Sequence, residues 1–178
     1  RYMAEKKKKR GKPFKMPDKC PVCGTEVVNE GAYTICPAGL SCRAQLVGRI
    51  QHFVSRKAMN IEELGKKTVE QLVEEKYITQ LPDLYRLKPE ELQQLEGFAS
   101  KSAKKLFNSI QSSKNPELHR LLYALGIRHV GEHLARILAR EFRKLEKIKN
   151  ARYEQLVAVH EVGPEIAENI VHFFSTKE

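Results

Sequence analysis

The chain has 178 residues, 41% apolar and 30% charged, with four Cys, no Trp and a formal net charge of +10. That length holds one ordinary domain or two small ones, and the composition describes a globular chain more polar than average. The longest apolar stretch, around Leu121 to Ile127, is far short of the roughly 18 residues that cross a bilayer, which excludes a membrane protein. No apolar segment follows the basic N-terminus as a secretory signal requires, so a reducing cytosol is expected. Residues 1–15 hold eight of the 32 bases and one of the 22 acids. With the run Lys6 to Arg10 holding no apolar residue, they read as a solvated basic linker rather than a folded unit. The rest of the chain carries only +3, so a nucleic-acid partner has to be argued from local geometry rather than global charge.

All four cysteines fall between Cys20 and Cys42, as Cys20-Pro-Val-Cys23-Gly, then Cys36, then Cys42. Two close thiols in a knuckle followed by a second pair are what a tetrahedral zinc site of four sulfurs requires. Pro21 and Gly24 suit the knuckle. Thr25-Glu26-Val27-Val28 and Tyr33-Thr34-Ile35 alternate in period two around Asn29-Glu30-Gly31, so a small hairpin joins the two pairs. Residues 16–58 are therefore assigned to a zinc ribbon or finger holding one structural ion. Four sulfur ligands leave no open position for catalysis, and metal binding supplies most of the folding free energy of such an element, on the order of 10 kcal/mol. Two disulfides, or a redox-active Cys20/Cys23 pair, are the other chemistries open to four cysteines. No secretory context supports the first, and no βαβ pattern surrounds the second. His52 reads as structural or solvent-facing, not as a ligand.

From about residue 59 to 178 the pattern is helical and repeats. Leu64-Gly65, Phe98-Ala99, Val130-Gly131 and Val162-Gly163 recur at intervals of 32 to 34 residues. Each pair is followed at the same offsets by apolar residues: Val69 and Leu72, Ala103 and Leu106, Ala135 and Leu138, Ala167 and Ile170. These lie on one face of a helix that starts just after a tight turn. Apolar stripes lead into the turns, as in Leu84, Leu87, Leu92 and Leu95, or Leu118, Leu121, Leu122 and Leu125. The unit is helix, hairpin, helix, and the glycine found in three of the four pairs is expected at positive φ in the reversal. The fold class is mainly α: four helix-hairpin-helix units in two pairs, preceded by a small zinc ribbon or finger built on the four cysteines.

A glycine before a helix leaves its first N–H groups uncovered, where the helix dipole favours an anion, and a phosphate fits there without any reading of base sequence. The period also suits a protein-interaction solenoid tethered by a zinc element, because tetratricopeptide repeats run 34 residues. Their Trp and Tyr pattern is absent here, however, and bases gather at the first turns. Lys66 and Lys67 follow Gly65, Lys101, Lys104 and Lys105 follow Ala99, and Arg128, His129 and His133 surround Gly131. The candidate DNA-binding residues are Leu64, Gly65, Lys66, Lys67, Gly97, Phe98, Ala99, Lys101, Arg128, His129, Val130, Gly131 and Gly163. The fourth turn, Glu161-Val162-Gly163-Pro164-Glu165, is acidic and reads as mainly structural, with Pro164 suited to a first helical position. The only aspartates are Asp18 and Asp83, too few for the carboxylate cluster of a two-metal site, and no Walker loop or nucleophile elbow is present. No catalytic residue is assigned.

The order Lys12-Pro13-Phe14-Lys15-Met16-Pro17, Cys20-Pro-x-Cys23-Gly, Cys36/Cys42 with Ala44-Gln45, Arg49-Ile-x-His52-Phe53-x-Ser55-Arg56-x-Ala58-Met59-x-Ile61, then four hairpin units, resembles the C-terminal half of bacterial NAD-dependent DNA ligases. The resemblance runs from about Lys12 to Phe174. It implies a multidomain cytoplasmic, nucleoid-associated, monomeric enzyme of replication and repair that seals nicks in duplex DNA. Such an enzyme adenylates a lysine with NAD, with magnesium as a further cofactor, passes AMP to the 5′-phosphate and joins it to the 3′-hydroxyl. No Asp-Gly occurs here, so the Lys-x-Asp-Gly adenylation site is expected outside this chain, as are the OB-fold and BRCT domains. The resemblance further implies that the zinc element orients neighbouring domains while the hairpins grip duplex DNA through the minor groove. Glu63 stands where the family's first hairpin has Gly, and Ala99 replaces the second glycine of the next.

Overall fold

Sequence periodicity and structure agree on the elements that bury the chain, and differ in how the turns between them are made. The computed structural model describes residues 15–176; the expected basic linker therefore lies almost wholly outside the described residues. Strands β1 (Val28–Glu30) and β2 (Tyr33–Ile35) pair antiparallel, with Asn29 opposite Thr34. The first strand starts later than its alternation predicts because Thr25 and Glu26 are already committed. The Thr25 carbonyl accepts from Cys20 N–H at 2.8 Å, and Glu26 bridges Lys19. The reversal consequently falls at Gly31, φ +60°, and Ala32, while Asn29 stays in the strand and accepts from the Thr34 hydroxyl at 3.0 Å.

Nine α-helices follow among the described residues. They are α1 (Arg43–Val54), α2 (Lys66–Glu74), α3 (Pro89–Leu92), α4 (Ser100–Ser112), α5 (Leu118–Ala124), α6 (Glu132–Phe142), α7 (Leu145–Lys149), α8 (Tyr153–Val157) and α9 (Pro164–Ser175). The apolar offsets predicted for the repeat all land in the interior. Val69, Leu72, Ala103, Leu106, Ala135, Leu138, Ala167 and Ile170 are fully buried. Two cores result. One gathers α1 to α4 around Ile50, Leu72, Leu84, Leu92 and Leu106, and the other gathers α5 to α9 around Leu122, Leu138, Ile148, Leu156 and Ile170.

The units are less uniform than the repeat suggests. Ahead of the first hairpin, residues 55–63 form turns and no helix. There Met59 N–H bonds Phe53 O and Ile61 N–H bonds Val54 O, both at 3.0 Å, so the chain folds back on the last carbonyls of α1. The second and fourth units have leading helices of only four and five residues, α3 and α8.

Helix α1 joins the two cores. Its apolar face, Leu46, Ile50, Phe53 and Val54, belongs to the first core. Its other side reaches the second half: His52 Nε2 lies 2.7 Å from the Tyr123 carbonyl, and the Arg49 guanidinium sits 5.9 Å from the Phe173 ring centre. Gly126 turns at φ +63°, and a Cβ there would meet Arg49 and His52 at 3.5 Å. Arg120 closes the joint by donating to the Ala58 and Arg56 carbonyls at 2.8 and 2.6 Å. His52 is thus structural, the first of its two expected roles.

Asp83 organises the 3₁₀ segment Leu81–Arg86. Its carboxylate accepts from Thr79 N–H at 3.0 Å, the Thr79 hydroxyl at 2.8 Å and Gln80 N–H at 3.1 Å. Desolvation opposes the charged form, but the Thr79 and Gln80 donors outweigh it and hold the carboxyl below its ordinary value. A depressed carboxyl stabilises the fold fully above its unfolded pKa, about 4, and that contribution is lost as pH falls through the folded value. Asp83→Ala is expected to cost about 1 kcal/mol in denaturant unfolding at pH 7. The difference from the parent should vanish in strong acid.

Candidate metal centre and nucleic-acid interface

The four cysteine sulfurs lie within 4.8 Å of one another, with Cys23 and Cys36 Sγ 3.5 Å apart. Tetrahedral zinc with bonds of about 2.3 Å sets its sulfurs about 3.8 Å apart, so the cluster fits such an ion. Local structure places each ligand. Cys20 O accepts from Gly24 N–H at 2.9 Å, closing the knuckle, and Gly24 takes φ +74°. Cys36 follows β2, its carbonyl held by Gln45 Nε2 at 2.9 Å. Cys42 is the N-cap of α1, at the positive end of the helix, where a negative ligand is favoured. The Thr25 hydroxyl and N–H hold the Cys23 thiol down at about 6. For Cys36 the Ala38 N–H pulls downward, but desolvation and the Cys23 and Cys20 sulfurs push the thiol up to about 11. Crowded thiols of this kind lack a shared cation to balance them, and a metal supplies it. The four cysteines are not bonded to one another in this structure.

The hairpins correct one expectation. The second residues of the four pairs, Gly65, Ala99, Gly131 and Gly163, are extended, with φ of −73°, −104°, −78° and −76°. Each is the N-cap of α2, α4, α6 or α9, and an N-cap takes β-region dihedrals. The left-handed residue lies two positions earlier: Glu63 at φ 67°, Gly97 at 81°, His129 at 64° and Glu161 at 67°. Glu63 therefore occupies a strained position, whereas Ala99 does not. A Cβ built on Gly65, Gly131 or Gly163 meets nothing within 4 Å, so nothing inside the fold requires glycine there. No side chain caps the first N–H groups of α2, α4, α6 or α9. At the second hairpin, Ala99 N–H is taken by Ser102 Oγ at 2.9 Å.

Leu64, Val130 and Val162 of the pairs are buried and Phe98 is half-buried, so they anchor the turns. Gly65, Lys66, Lys67, Gly97, Ala99, Lys101, Arg128, His129 and Gly131 are exposed, and Gly163 is half-exposed. The two halves differ in how their cations are held. Lys66 lies 3.8 Å from Glu70, while Lys67, Lys101 and Lys104 make no ion pair with described residues. At the third turn Arg128 lies 3.7 Å from Glu30 of β1, and His129 lies 3.1 Å from Glu165. His133 meets Glu161 at 2.9 Å. Glu132 is shared by Lys57 at 3.3 Å and Arg136 at 2.8 Å, with Lys57 foremost in holding its carboxyl below the ordinary value. Lys105 pairs with Glu63, which raises the lysine above its ordinary value. Apart from the bridges of Lys66 to Glu70 and Arg136 to Glu132, each one turn apart on a helix, these pairs join distant parts of the sequence, and spacing alone offers no signal for them.

Comparison with known proteins places the geometry. A family model described as a SAM-like helix-hairpin-helix tandem matches residues 55–112, and one described as a helix-hairpin-helix motif matches residues 120–178. The division matches the two cores. A DNA ligase of Syntrophus aciditrophicus is 50% identical over 165 residues, covering 91% of this chain and 24% of the ligase. Those of Nitrosococcus oceani and Clostridium botulinum are 46% and 44% identical, covering 98% and 99% of the chain and 26% of each ligase. The chain is homologous to a segment of the DNA ligases. It spans about a quarter of the length of these relatives, and its hairpin pairs and four-cysteine cluster fit the C-terminal part of a ligase. The cysteine cluster is suited to a metal ion. No helix among the described residues is long and apolar enough to cross a membrane.

Proposed function

We infer that this chain is the non-catalytic, sequence-tolerant DNA-binding portion of an NAD-dependent DNA ligase that seals nicks in duplex DNA during replication and repair. Residues 16–58 form its zinc element, with Cys20, Cys23, Cys36 and Cys42 as ligands of one structural ion. Residues 59–178 form its helix-hairpin-helix region, whose two cores are joined by α1. NAD and magnesium serve the adenylation domain elsewhere in the enzyme, which works as a monomer in the bacterial cytoplasm.

One observation carries this reading: the long second helices of the four units begin at extended N-cap residues whose own side chains cap none of the first helical N–H groups. The N–H groups of such N-termini donate to phosphate oxygens. Two of these N-caps, Gly65 and Gly131, are exposed and have no Cβ to keep a phosphate away. Lys66, Lys67 and Lys101 stand within two residues of the caps, placed to add charge. Leu64, Phe98, Val130 and Gly97 shape the turns, while Arg128 and His129 flank the third. The fourth turn offers less, because Pro164 at the first helical position has no N–H. Backbone donors and lysines hold phosphates without reading bases.

Gly131→Ser tests the caps, because the hydroxyl enters open space. A serine N-cap is expected to stabilise the fold by a few tenths of a kcal/mol while occupying the donors a phosphate needs. Thermal melting should show unchanged or raised stability, and DNA anisotropy should show weaker binding. The division of labour is tested in a full-length ligase lacking residues equivalent to 16–178. That enzyme is expected to adenylate itself with NAD but to lose nick sealing, whereas sealing at the parent rate would contradict the proposal.

A further inference from the structure

The reciprocal bridges between the last two hairpins carry an inference about how tightly this chain holds DNA, and it rests on the DNA-binding reading above. His129, at the left-handed position of the third turn, reaches Glu165 in the first turn of α9 at 3.1 Å. Glu161, at the left-handed position of the fourth turn, reaches His133 in the first turn of α6 at 2.9 Å. Each histidine and each glutamate therefore lies two residues from an N-cap glycine, Gly131 or Gly163. Glu161 also has His160 Nδ1 at 3.4 Å. In the first two units the positions equivalent to His133 and Glu165 hold Lys67 and Lys101, which make no ion pair with described residues, while those equivalent to His129 and Glu161 hold Glu63, paired with Lys105, and Gly97.

We propose that Glu161 and Glu165 mask His129 and His133, two latent phosphate contacts, so that the C-terminal hairpin pair holds DNA more weakly than its N-terminal counterpart. An imidazole that donates to a carboxylate 3 Å away has no N–H on that nitrogen for a phosphate, and the carboxylate itself repels one. The pairs are exposed, so each is worth little to the fold and DNA can compete for the histidines. The left-handed backbone at Glu161, unfavourable for a residue with a Cβ, keeps the carboxylate aimed across the hairpin pair. A ligase has to release its product after sealing, and a clamp with one tight and one masked half suits that need.

The test measures anisotropy of this chain on nicked duplex DNA at fixed pH and several salt concentrations. The chains compared are the parent, Glu161→Gln/Glu165→Gln, and that pair combined with His129→Ala/His133→Ala. Unmasking predicts that the Gln pair binds about 3- to 10-fold tighter than the parent, with a steeper salt slope. Adding the alanines should abolish that gain, while melting curves confirm that each variant is folded. Equal or weaker binding by the folded Gln pair, or a gain that persists without the histidines, would overturn the masking. A parent chain that binds no DNA would instead overturn the DNA-binding reading, and the masking with it.

Discussion

Stripping the metal with a strong chelator is expected to unfold residues 16–42 and leave the helical pairs standing. The region holds a two-stranded hairpin whose Val28, Tyr33 and Ile35 are exposed, and only the half-buried Leu40, just ahead of α1, packs against a core. It has no apolar interior to keep it folded. Metal binding in such elements supplies on the order of 10 kcal/mol at neutral pH, far more than any other interaction in this part of the chain. Native mass spectrometry is expected to find one zinc per chain, lost in each Cys→Ser variant. After chelation, hydrogen exchange should become fast through residues 16–42. From Leu46 onward α1 should stay protected, because Leu46, Ile50, Phe53 and Val54 pack in the first core. Affinity for the metal should fall as pH falls. Zinc takes thiolates, and Cys36, pushed up to about 11, must give up its proton to bind. A chain that keeps slow exchange through residues 16–42 without metal would contradict the structural role of the cluster.

Reversing the lysines beside the first two caps is expected to have the largest effect on DNA. Lys66, Lys67 and Lys101 are exposed, and among the described residues Lys66 alone of the three has an acidic partner, Glu70 at 3.8 Å. Removing them takes little from the fold, since exposed substitutions shift stability by about 0.5 kcal/mol or less. If each lysine holds one phosphate, the combined Lys→Glu variant releases three phosphates and repels all of them. Its affinity should drop by about two to three orders of magnitude at moderate salt, and the salt slope should flatten by about 0.9 for each phosphate released. Melting within a degree or two of the parent would tie the loss to the interface. Undiminished binding would move the grip away from the first hairpin pair.

Much of this architecture is legible in the sequence because it rests on period. The offsets from Gly65, Ala99, Gly131 and Gly163 to the buried pairs hold in every unit, since helix geometry fixes which residues face inward once the N-cap is set. The cysteine cluster is legible for the same reason: ligand spacing is local. The conformation inside the turns is not. Glycine at the second position suggests positive φ, yet three non-glycine residues, Glu63, His129 and Glu161, take the left-handed position two residues earlier. Surrounding packing overrides the local preference there. Nor does the sequence announce the missing leading helix of the first unit, where the chain bonds back onto α1. The role of α1 itself depends on contacts with Tyr123 and Phe173, more than 70 residues away, and the bridges of His129 and His133 to the fourth turn are equally non-local.

The central claim is that uncapped helix N-termini and their lysines form a phosphate clamp. The measurement that tests it most directly is the affinity of the zinc-loaded chain for nicked and intact duplex DNA across a salt series. With roughly four to eight phosphates held, log K should fall with a slope of about −4 to −7 against log salt, with little dependence on base sequence. A flat response, or no binding at low salt, would contradict the clamp and favour a helical array that engages a protein partner instead.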